Sequence, residues 1–257
     1  RVKFCEGARA KRPLRALQNF TFRALGRSGE FQQGRKGPIP RSQELGRILA
    51  AGMGTRLRAE LNGRPKGFLE LGDRPIVEES VQRLSNAGIE RIVIVTGFGA
   101  KHYEHLVSQY PNLIETVHNA EYENSGSMYS LFCARQQLEE EPFLLLESDL
   151  IFEPRAIDVI IGFDQPDAIL LSEPTGAGDE VYVESQDGML VSMSKYRETL
   201  GPGIAGELVG ISKISRELFS LMLNIAQNKF KQSLQFDYET DCLVAAARNW
   251  AIACPVI

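Results

Sequence analysis

Hydrophobic and polar positions along the chain form blocks that predict alternating strands and helices from residue 47 onward. Short apolar runs at Arg47–Ala51, Arg91–Phe98 and Phe143–Leu150 have the length of buried strands. Between them, Pro75–Ala87 and Lys101–Gln109 repeat apolar residues at the spacing of one helix face. The other predicted elements of this half are a short strand and a helix, at Ile114–His118 and Ser127–Leu138. Strands that alternate with helices indicate a largely parallel sheet covered on both faces.

The pattern changes in the second half of the chain. Strands are predicted at Ala168–Ser172 and Glu207–Ile211, and helices at Arg216–Ile225 and Tyr238–Arg248. Val181–Ser194 alternates on both sides of a Gln-Asp-Gly turn, which predicts a β-hairpin. The expected fold is therefore α/β, with a Rossmann-like, mostly parallel sheet, helices on both faces and an inserted β-hairpin that supplies substrate contacts.

The net charge of −4 hides an uneven distribution. Residues 1–47 hold 12 Lys and Arg against 3 Asp and Glu, and the rest of the chain holds 17 against 30. Glycine, proline and weak periodicity predict a basic, poorly ordered extension over 1–46 and a folded domain over 47–257. A nucleic-acid-binding arm or an organelle transit segment would carry the same charge. Because no Met precedes Met53, a mis-started reading frame would also explain it.

The cysteine pattern and the hydropathy of the chain indicate where in the cell the protein is expected. Cys5, Cys133, Cys242 and Cys254 lack the spacing of metal ligands, and three of them lie in apolar contexts. This favours reduced thiols and a cytoplasmic location. No apolar run approaches the ~20 residues that a bilayer crossing needs, so we expect no membrane insertion.

The stretch Leu49–Leu57, LAAGMGTRL, is the strongest candidate for binding a polyphosphate. An apolar strand leads into a loop with two glycines, and Arg56 and the later Pro65-Lys66 pair add two positive charges. Glycines let backbone N–H groups approach phosphate oxygens, and a helix after the loop adds its positive dipole end. The spacing fits neither a Walker loop nor the dinucleotide fingerprint. A purely structural turn is the alternative.

Three polar positions are predicted to lie near this loop. Asp149 follows an apolar strand at the edge where open α/β sheets bind ligands, so it could hold Mg²⁺ or simply cap the next turn. Thr96-Gly97 ends another strand on the same edge and could read a base, although a plain turn would look the same. Asn124–Met128 leads into a helix and could supply a cap or present N–H groups and a hydroxyl to a ligand.

Together these motifs resemble the nucleotidyltransferases of the sugar-nucleotide pyrophosphorylase type. The likeness is greatest to the cytidylyltransferases that act on 2-aminoethylphosphonate or phosphocholine, and it runs from about Ile48 to the end of the chain. The segments that carry it are LAAGMGTRL with Pro65-Lys66-Gly67, NSGSMYSL from Asn124, LESDLIFE from Leu146, GELVGISKIS from Gly206 and DYETDCL from Asp237.

The resemblance implies a nucleotide-diphospho-sugar transferase-like fold and transfer of CMP from CTP to a small phosphonate or phosphate, with release of pyrophosphate. It implies catalytic roles for Arg56, Lys66 and Asp149, with Mg²⁺ as cofactor on Asp149. The nucleotide-binding residues that it implies are Leu49, Ala50, Ala51, Gly52, Met53, Gly54, Thr55, Thr96, Gly97 and Ser127. CTP and the acceptor are the expected partners, with no nucleic acid, and a homodimer is compatible with the sequence.

The acceptor is expected to be 2-aminoethylphosphonate. A quaternary ammonium favours aromatic faces, whereas a primary ammonium favours carboxylates. The predicted pocket segment Asp237–Asp241 offers one ring among three carboxylates. The predicted acceptor-binding residues are Lys195, Tyr238, Glu239 and Asp241. Phosphocholine cytidylyltransferase and sugar-1-phosphate nucleotidyltransferase are the alternative enzymes.

The resemblance also implies a second metal-binding Asp in a Glu-Ile-Asp segment after the last strand. The chain reaches Ile257 before such a segment. We therefore expect a nucleotidyltransferase domain over 47–257 that is truncated at its carboxyl end, with Asp241 or Glu239 as candidate substitutes. A catalytically incomplete nucleotide-binding module is the alternative from another functional class.

Overall fold

The computed structural model describes residues 3–4, 45–50, 63–70, 72–176, 178 and 180–257, with the backbone alone for 3–4 and 45–50. Most of the basic segment predicted over 1–46 thus lies outside the described residues. Within the described part, eight strands form one mixed sheet. They are β1 (Leu45–Ala50), β2 (Ile92–Thr96), β3 (Ile114–His118), β4 (Phe143–Glu147), β5 (Ala168–Ser172), β6 (Tyr182–Gln186), β7 (Met189–Ser194) and β8 (Ile204–Ile214).

Helices cover both faces of this sheet. The α-helices are α1 (Ile76–Asn86), α2 (Ala100–Gln109), α3 (Ser127–Cys133), α4 (Arg135–Leu138), α5 (Pro154–Ile161), α6 (Arg216–Phe230) and α7 (Val244–Ala247). Shorter elements are 3₁₀ turns at Lys66–Phe68 and Arg197–Thr199, a π-helical turn at Tyr238–Leu243, and a two-residue strand Lys3–Phe4 paired with Leu150–Ile151. In the described residues, no helix is both long and apolar enough to cross a membrane.

The strand order is β3-β2-β1-β4-β8-β6-β7, and β5 also pairs with β8. Strands β1 to β4 are parallel, and Ile48 of β1 lies opposite Ile94 and Leu146. Their carboxyl ends therefore meet along one edge, where open α/β sheets bind ligands. The second half joins antiparallel, because β8 pairs in that sense with β4, β5 and β6. The predicted parallel core and the hairpin β6–β7 are both confirmed.

Two hydrophobic layers sandwich the sheet. Successive strand residues point to opposite faces, so Leu145 packs with one layer and Leu146 with the other. The first layer includes apolar residues of α3 and α6, such as Met128 and Phe219. The second includes residues of α1, α2 and α5, such as Val77. Strands β2, β3 and β4 each contribute apolar residues to both layers, which fixes their carboxyl ends.

Several predicted boundaries were wrong. Helix α5 was not predicted, but proline suits the first turn of a helix, and Ile157 and Ile160 are buried in the second hydrophobic layer. Strand β8 is longer than Glu207–Ile211 because its glycines interrupt the apolar pattern without ending the strand. Four other corrections concern element ends: the Phe143 strand stops at Glu147, the Ser127 helix breaks at Ala134, the Arg216 helix continues to Phe230, and the Tyr238 helix begins as a π turn.

The carboxyl-terminal segment extends the sheet beside β5. The amide of Ile169 donates to Ala253 at 2.9 Å, and the amide of Leu171 donates to Pro255 at 2.8 Å. The bridges Ala168–Ala253 and Leu171–Val256 are parallel. Residues far from the parallel core in sequence therefore close one side of the fold.

Candidate active site

A lysine and an aspartate meet at the carboxyl end of β4. Lys66 Nζ lies 3.2 Å from Asp149 Oδ2, and the two side chains are 26% and 22% exposed. Gly67 allows this approach, because a Cβ there would lie 2.9 Å from the carbonyl oxygen of Ser148. The Lys66–Phe68 turn consequently rests directly on the end of the strand, and both charges remain accessible from the solvent.

Tyr103 of α2 supports the turn from below. Its side chain is fully buried, and the ring of Phe68 packs edge-to-face against it at 4.9 Å. Burial raises the pKa of the Tyr103 hydroxyl above its ordinary value, and the nearby charge of Asp149 adds to that shift. The phenol therefore stays neutral beneath the lysine–aspartate pair.

Thr96 and Gly97 lie at the end of β2 on the same edge of the sheet, and both are buried. The Thr96 hydroxyl is 3.4 Å from the Val117 carbonyl oxygen and 3.4 Å from His118 Nδ1. Both distances are long for a hydroxyl hydrogen bond, so neither partner holds the hydroxyl firmly. Its use in recognising a base remains a prediction.

Ser127 joins the first turn of α3 to the acidic segment near the carboxyl end. Its backbone N–H donates to Asp237 Oδ1 at 3.1 Å, and its hydroxyl accepts from the Tyr238 amide at 2.9 Å. The hydroxyl also lies 3.2 Å from Asp237 Oδ1 and 3.1 Å from Glu239 Oε2, and its single proton serves one of them at a time. Gly126 permits this contact, because a Cβ there would lie 2.5 Å from the Phe236 carbonyl oxygen.

Glu147, which the sequence interpretation omitted, is the last residue of β4. The hydroxyl of Tyr238 donates to Glu147 Oε1 at 3.3 Å. Burial raises the pKa of that hydroxyl well above its ordinary value, and the charges of Glu147, Glu239 and Asp149 raise it further. Three carboxylates thus act on one buried phenol. The spacing of Glu147 two residues before Asp149 in LESD was the available signal.

The structure places the other predicted site residues as follows. Leu49 and Ala50 end β1, with Ala50 opposite Thr96 in the ladder. The loop 51–55 and Arg56 lie outside the described residues. Asp241 is exposed and accepts from the Asp237 amide at 2.9 Å, while Lys195 is exposed just after β7. Their roles in binding stay predictions.

Comparison with known proteins identifies the family. The model of the MobA-like NTP transferase domain matches residues 46–211, more than half of the chain. The chain belongs to this family. The matched region contains the Lys66–Asp149 pair, Thr96, Ser127 and Glu147, and the expected membership of a nucleotidyltransferase family is confirmed.

Curated relatives of this MobA-like domain include cytidylyltransferases. CMP-5'-(3-aminopropyl)phosphonate synthase of Streptomyces rubellomurinus is 28% identical over 80% of this chain and 34% of its own length. The 2-aminoethylphosphonate cytidylyltransferase of Lancefieldella rimae is 32% identical over 42% of this chain and 46% of its own length. The chain therefore spans between a third and a half of the length of these relatives.

A solved structure confirms the fold. The inositol-1-phosphate CTP transferase of T. maritima superposes with a TM-score of 0.71 at 20% identity and covers 83% of this chain and 85% of its own. At that identity the likeness establishes architecture alone. The expected nucleotide-diphospho-sugar transferase-like fold is thus confirmed.

The donor set of the MobA-like domain is compatible with a magnesium ion. Among the residues that the structure describes, no three His, Cys, Asp or Glu side chains are grouped to hold a metal. Mg²⁺ needs no such cage, because one or two carboxylates, water and substrate phosphates complete its shell. Asp149, partly exposed at the end of β4, is the fitting carboxylate.

Proposed function

We propose that this protein is a cytidylyltransferase that transfers CMP from CTP to 2-aminoethylphosphonate and releases pyrophosphate. The observation that carries the proposal is the Lys66–Asp149 pair, 3.2 Å apart at the carboxyl edge of the parallel strands. Within a nucleotidyltransferase family, a cation and a carboxylate at this edge suit a magnesium-bound triphosphate.

In the proposed reaction, a phosphonate oxygen of the acceptor attacks the α-phosphorus of CTP. The bond from that phosphorus to the bridging oxygen breaks, and the electron pair leaves with pyrophosphate. Lys66 stabilises the negative charge that develops on the phosphoryl and leaving groups. Thr96, Gly97 and Ser127 would orient the nucleotide. Asp149 would hold Mg²⁺, which when bound neutralises phosphate charge.

The carboxylates beside this pair support an acceptor with a primary ammonium. The charges of Glu147, Glu239 and Asp149 all act on the Tyr238 hydroxyl, and Asp237 and Glu239 both lie within hydrogen-bond distance of the Ser127 hydroxyl. An ammonium with N–H donors can bond such carboxylates, whereas a quaternary ammonium cannot. An aminophosphonate therefore suits these carboxylates better than phosphocholine does.

A cytoplasmic location is part of the proposal. Cys133, Cys242 and Cys254 are free thiols, as expected in a reducing compartment. Burial raises the pKa of Cys242 and of Cys254 to about 12, so both remain protonated at neutral pH.

Parallel assays of pyrophosphate release test the proposed function. With CTP and Mg²⁺, we expect 2-aminoethylphosphonate to give the highest kcat/KM among this acceptor, phosphocholine and glucose 1-phosphate. A second series with UTP and dTTP tests the nucleotide. A preference for phosphocholine, or for a hexose phosphate with UTP, would contradict the proposal. Binding of CTP without release of pyrophosphate for any acceptor would identify a non-catalytic module instead.

A further inference from the structure

We propose that Tyr238 is a positioning residue for Glu147, and that the carboxylate held in this way receives the ammonium group of the acceptor. This inference rests on the proposed function. It differs from the sequence interpretation, in which the Tyr238 side chain itself contacts the acceptor.

Tyr238 is held in a fixed position from which its hydroxyl donates a hydrogen bond to Glu147. Its side chain is 1% exposed and belongs to the hydrophobic layer formed with α3 and α6, so its ring is shielded from an incoming ligand. Its hydroxyl donates to Glu147 Oε1 at 3.3 Å. Its amide donates to the Ser127 hydroxyl at 2.9 Å. The residue is therefore anchored through backbone, ring and hydroxyl.

Glu147 is also confined on its other side, by the backbone of β8. Gly210 has a φ of +94°, a conformation that favours glycine. A Cβ there would lie 3.1 Å from Glu147 Cδ and 3.2 Å from Oε2. The carboxylate thus lies between the Tyr238 hydroxyl and the backbone of Gly210, which restricts its rotamers before any ligand binds.

The chemistry of this carboxylate suits an ammonium ligand. An ionised carboxylate has about four acceptor positions, so it can accept N–H donors besides the Tyr238 hydroxyl. Glu147 precedes Asp149 by two residues, so the Cα atoms of the two residues lie at most about 7 Å apart. An acceptor whose ammonium lies at Glu147 would have its phosphonate, two carbons away, within reach of the Lys66–Asp149 pair.

The test measures whether Tyr238→Phe changes the KM for the acceptor while leaving kcat and the KM for CTP unchanged. Loss of the hydroxyl should raise the KM for 2-aminoethylphosphonate about tenfold, because a hydrogen bond to a charged group is lost. The kcat at saturating acceptor and the KM for CTP should stay within about twofold, since Lys66 and Asp149 are untouched. A purely structural defect would lower kcat or change both KM values.

Two controls sharpen this test. Tyr110→Phe removes a matched bond, since the Tyr110 hydroxyl donates to Glu78 of α1 at 3.2 Å, and it should leave the acceptor KM unchanged. Ethylphosphonate lacks the ammonium group, so wild type, Tyr238→Phe and Glu147→Gln should share one high KM for it. Glu147→Gln should also raise the KM for 2-aminoethylphosphonate, and it supplies the test if Tyr238→Phe does not fold.

The outcomes separate this inference from the proposed function. If the wild type uses 2-aminoethylphosphonate but its KM is unchanged in Tyr238→Phe or in Glu147→Gln, the positioning role is refuted and the proposed function stands. An equal rise in KM for ethylphosphonate would refute ammonium recognition at Glu147. If the wild type does not turn over 2-aminoethylphosphonate, the proposed function and this inference both fail.

Discussion

At the residue scale, the proposed chemistry depends on two opposite charges that lie 83 positions apart in sequence and 3.2 Å apart in space. A partly exposed ion pair contributes only about 0–1 kcal/mol to stability. The close packing of Gly67 on Ser148 therefore serves position more than folding. The Lys66 side chain is 26% exposed at the end of β4, so it can be replaced without disturbing the core.

Replacement of Lys66 by alanine should separate these two effects. We expect the rate of pyrophosphate release from CTP to fall about a hundredfold, the usual loss when one preorganised charge contact is removed. The thermal midpoint should change little, because the side chain is partly exposed. A stopped-assay measurement of pyrophosphate, with the exposed Lys229→Ala as control, tests this. A rate of pyrophosphate release within threefold of the wild-type rate in Lys66→Ala would contradict the proposed catalytic role of Lys66.

Sequence alone predicted part of this site. Lys66 and Asp149 stood out because each lies in a motif that resembles a known family. Glu147 was not selected, although it lies two residues before Asp149 in LESD, because a glutamate at the end of an apolar strand has no distinctive pattern of its own. Its role emerges only from Tyr238 and Gly210, which lie 91 and 63 positions later in the chain. Contacts between residues so far apart in sequence leave no periodic pattern from which they could be predicted.

At the element scale, a buried aspartate links three segments on the side of the fold away from the parallel core. Asp167, which is 1% exposed, accepts from the Ser215 amide at 2.6 Å and the Ser215 hydroxyl at 2.9 Å. It also accepts from Trp250 Nε1 at 2.9 Å. The start of α6, the strand β5 and the carboxyl-terminal segment are thereby joined.

Removal of this link should destabilise the protein. Asp167→Ala leaves buried donors without their partner, so we expect the free energy of unfolding to fall by about 3 kcal/mol. Ser215→Ala removes a helix cap and one of the bonds, and should cost about 1–2 kcal/mol. Urea denaturation followed by circular dichroism measures both. A loss below about 1 kcal/mol in Asp167→Ala would show that the link contributes little.

The elements themselves differed in how well they could be predicted. Helices α1 and α2 were predicted because their apolar residues repeat on one face, and the hairpin because its turn residues are specific. Helix α5 was missed because Pro154 breaks the pattern at the point where the helix begins. Strand β8 was predicted too short because Gly206 before Glu207 and the polar Ser212 and Lys213 after Ile211 interrupt the apolar pattern without ending the strand.

At the scale of the whole molecule, the candidate site depends on strand order and long-range contacts, which the hydrophobic periodicity of the sequence does not reveal. The sequence predicted parallel strands with a shared carboxyl edge, and this was confirmed. It did not predict that β8 would insert antiparallel beside β4, or that Ser127 would bond Asp237, 110 positions away. Those contacts bring Glu147, Asp237 and Glu239 together around Tyr238 and Ser127, and these carboxylates support the proposed acceptor.

The most direct test of the central claim is a calorimetric titration of the folded protein with CTP in the presence of magnesium. We predict a saturable heat with one nucleotide bound per chain, and an affinity about tenfold weaker in Lys66→Ala, the usual loss for one charged contact. A folded sample that gives no heat with CTP and magnesium would contradict the account.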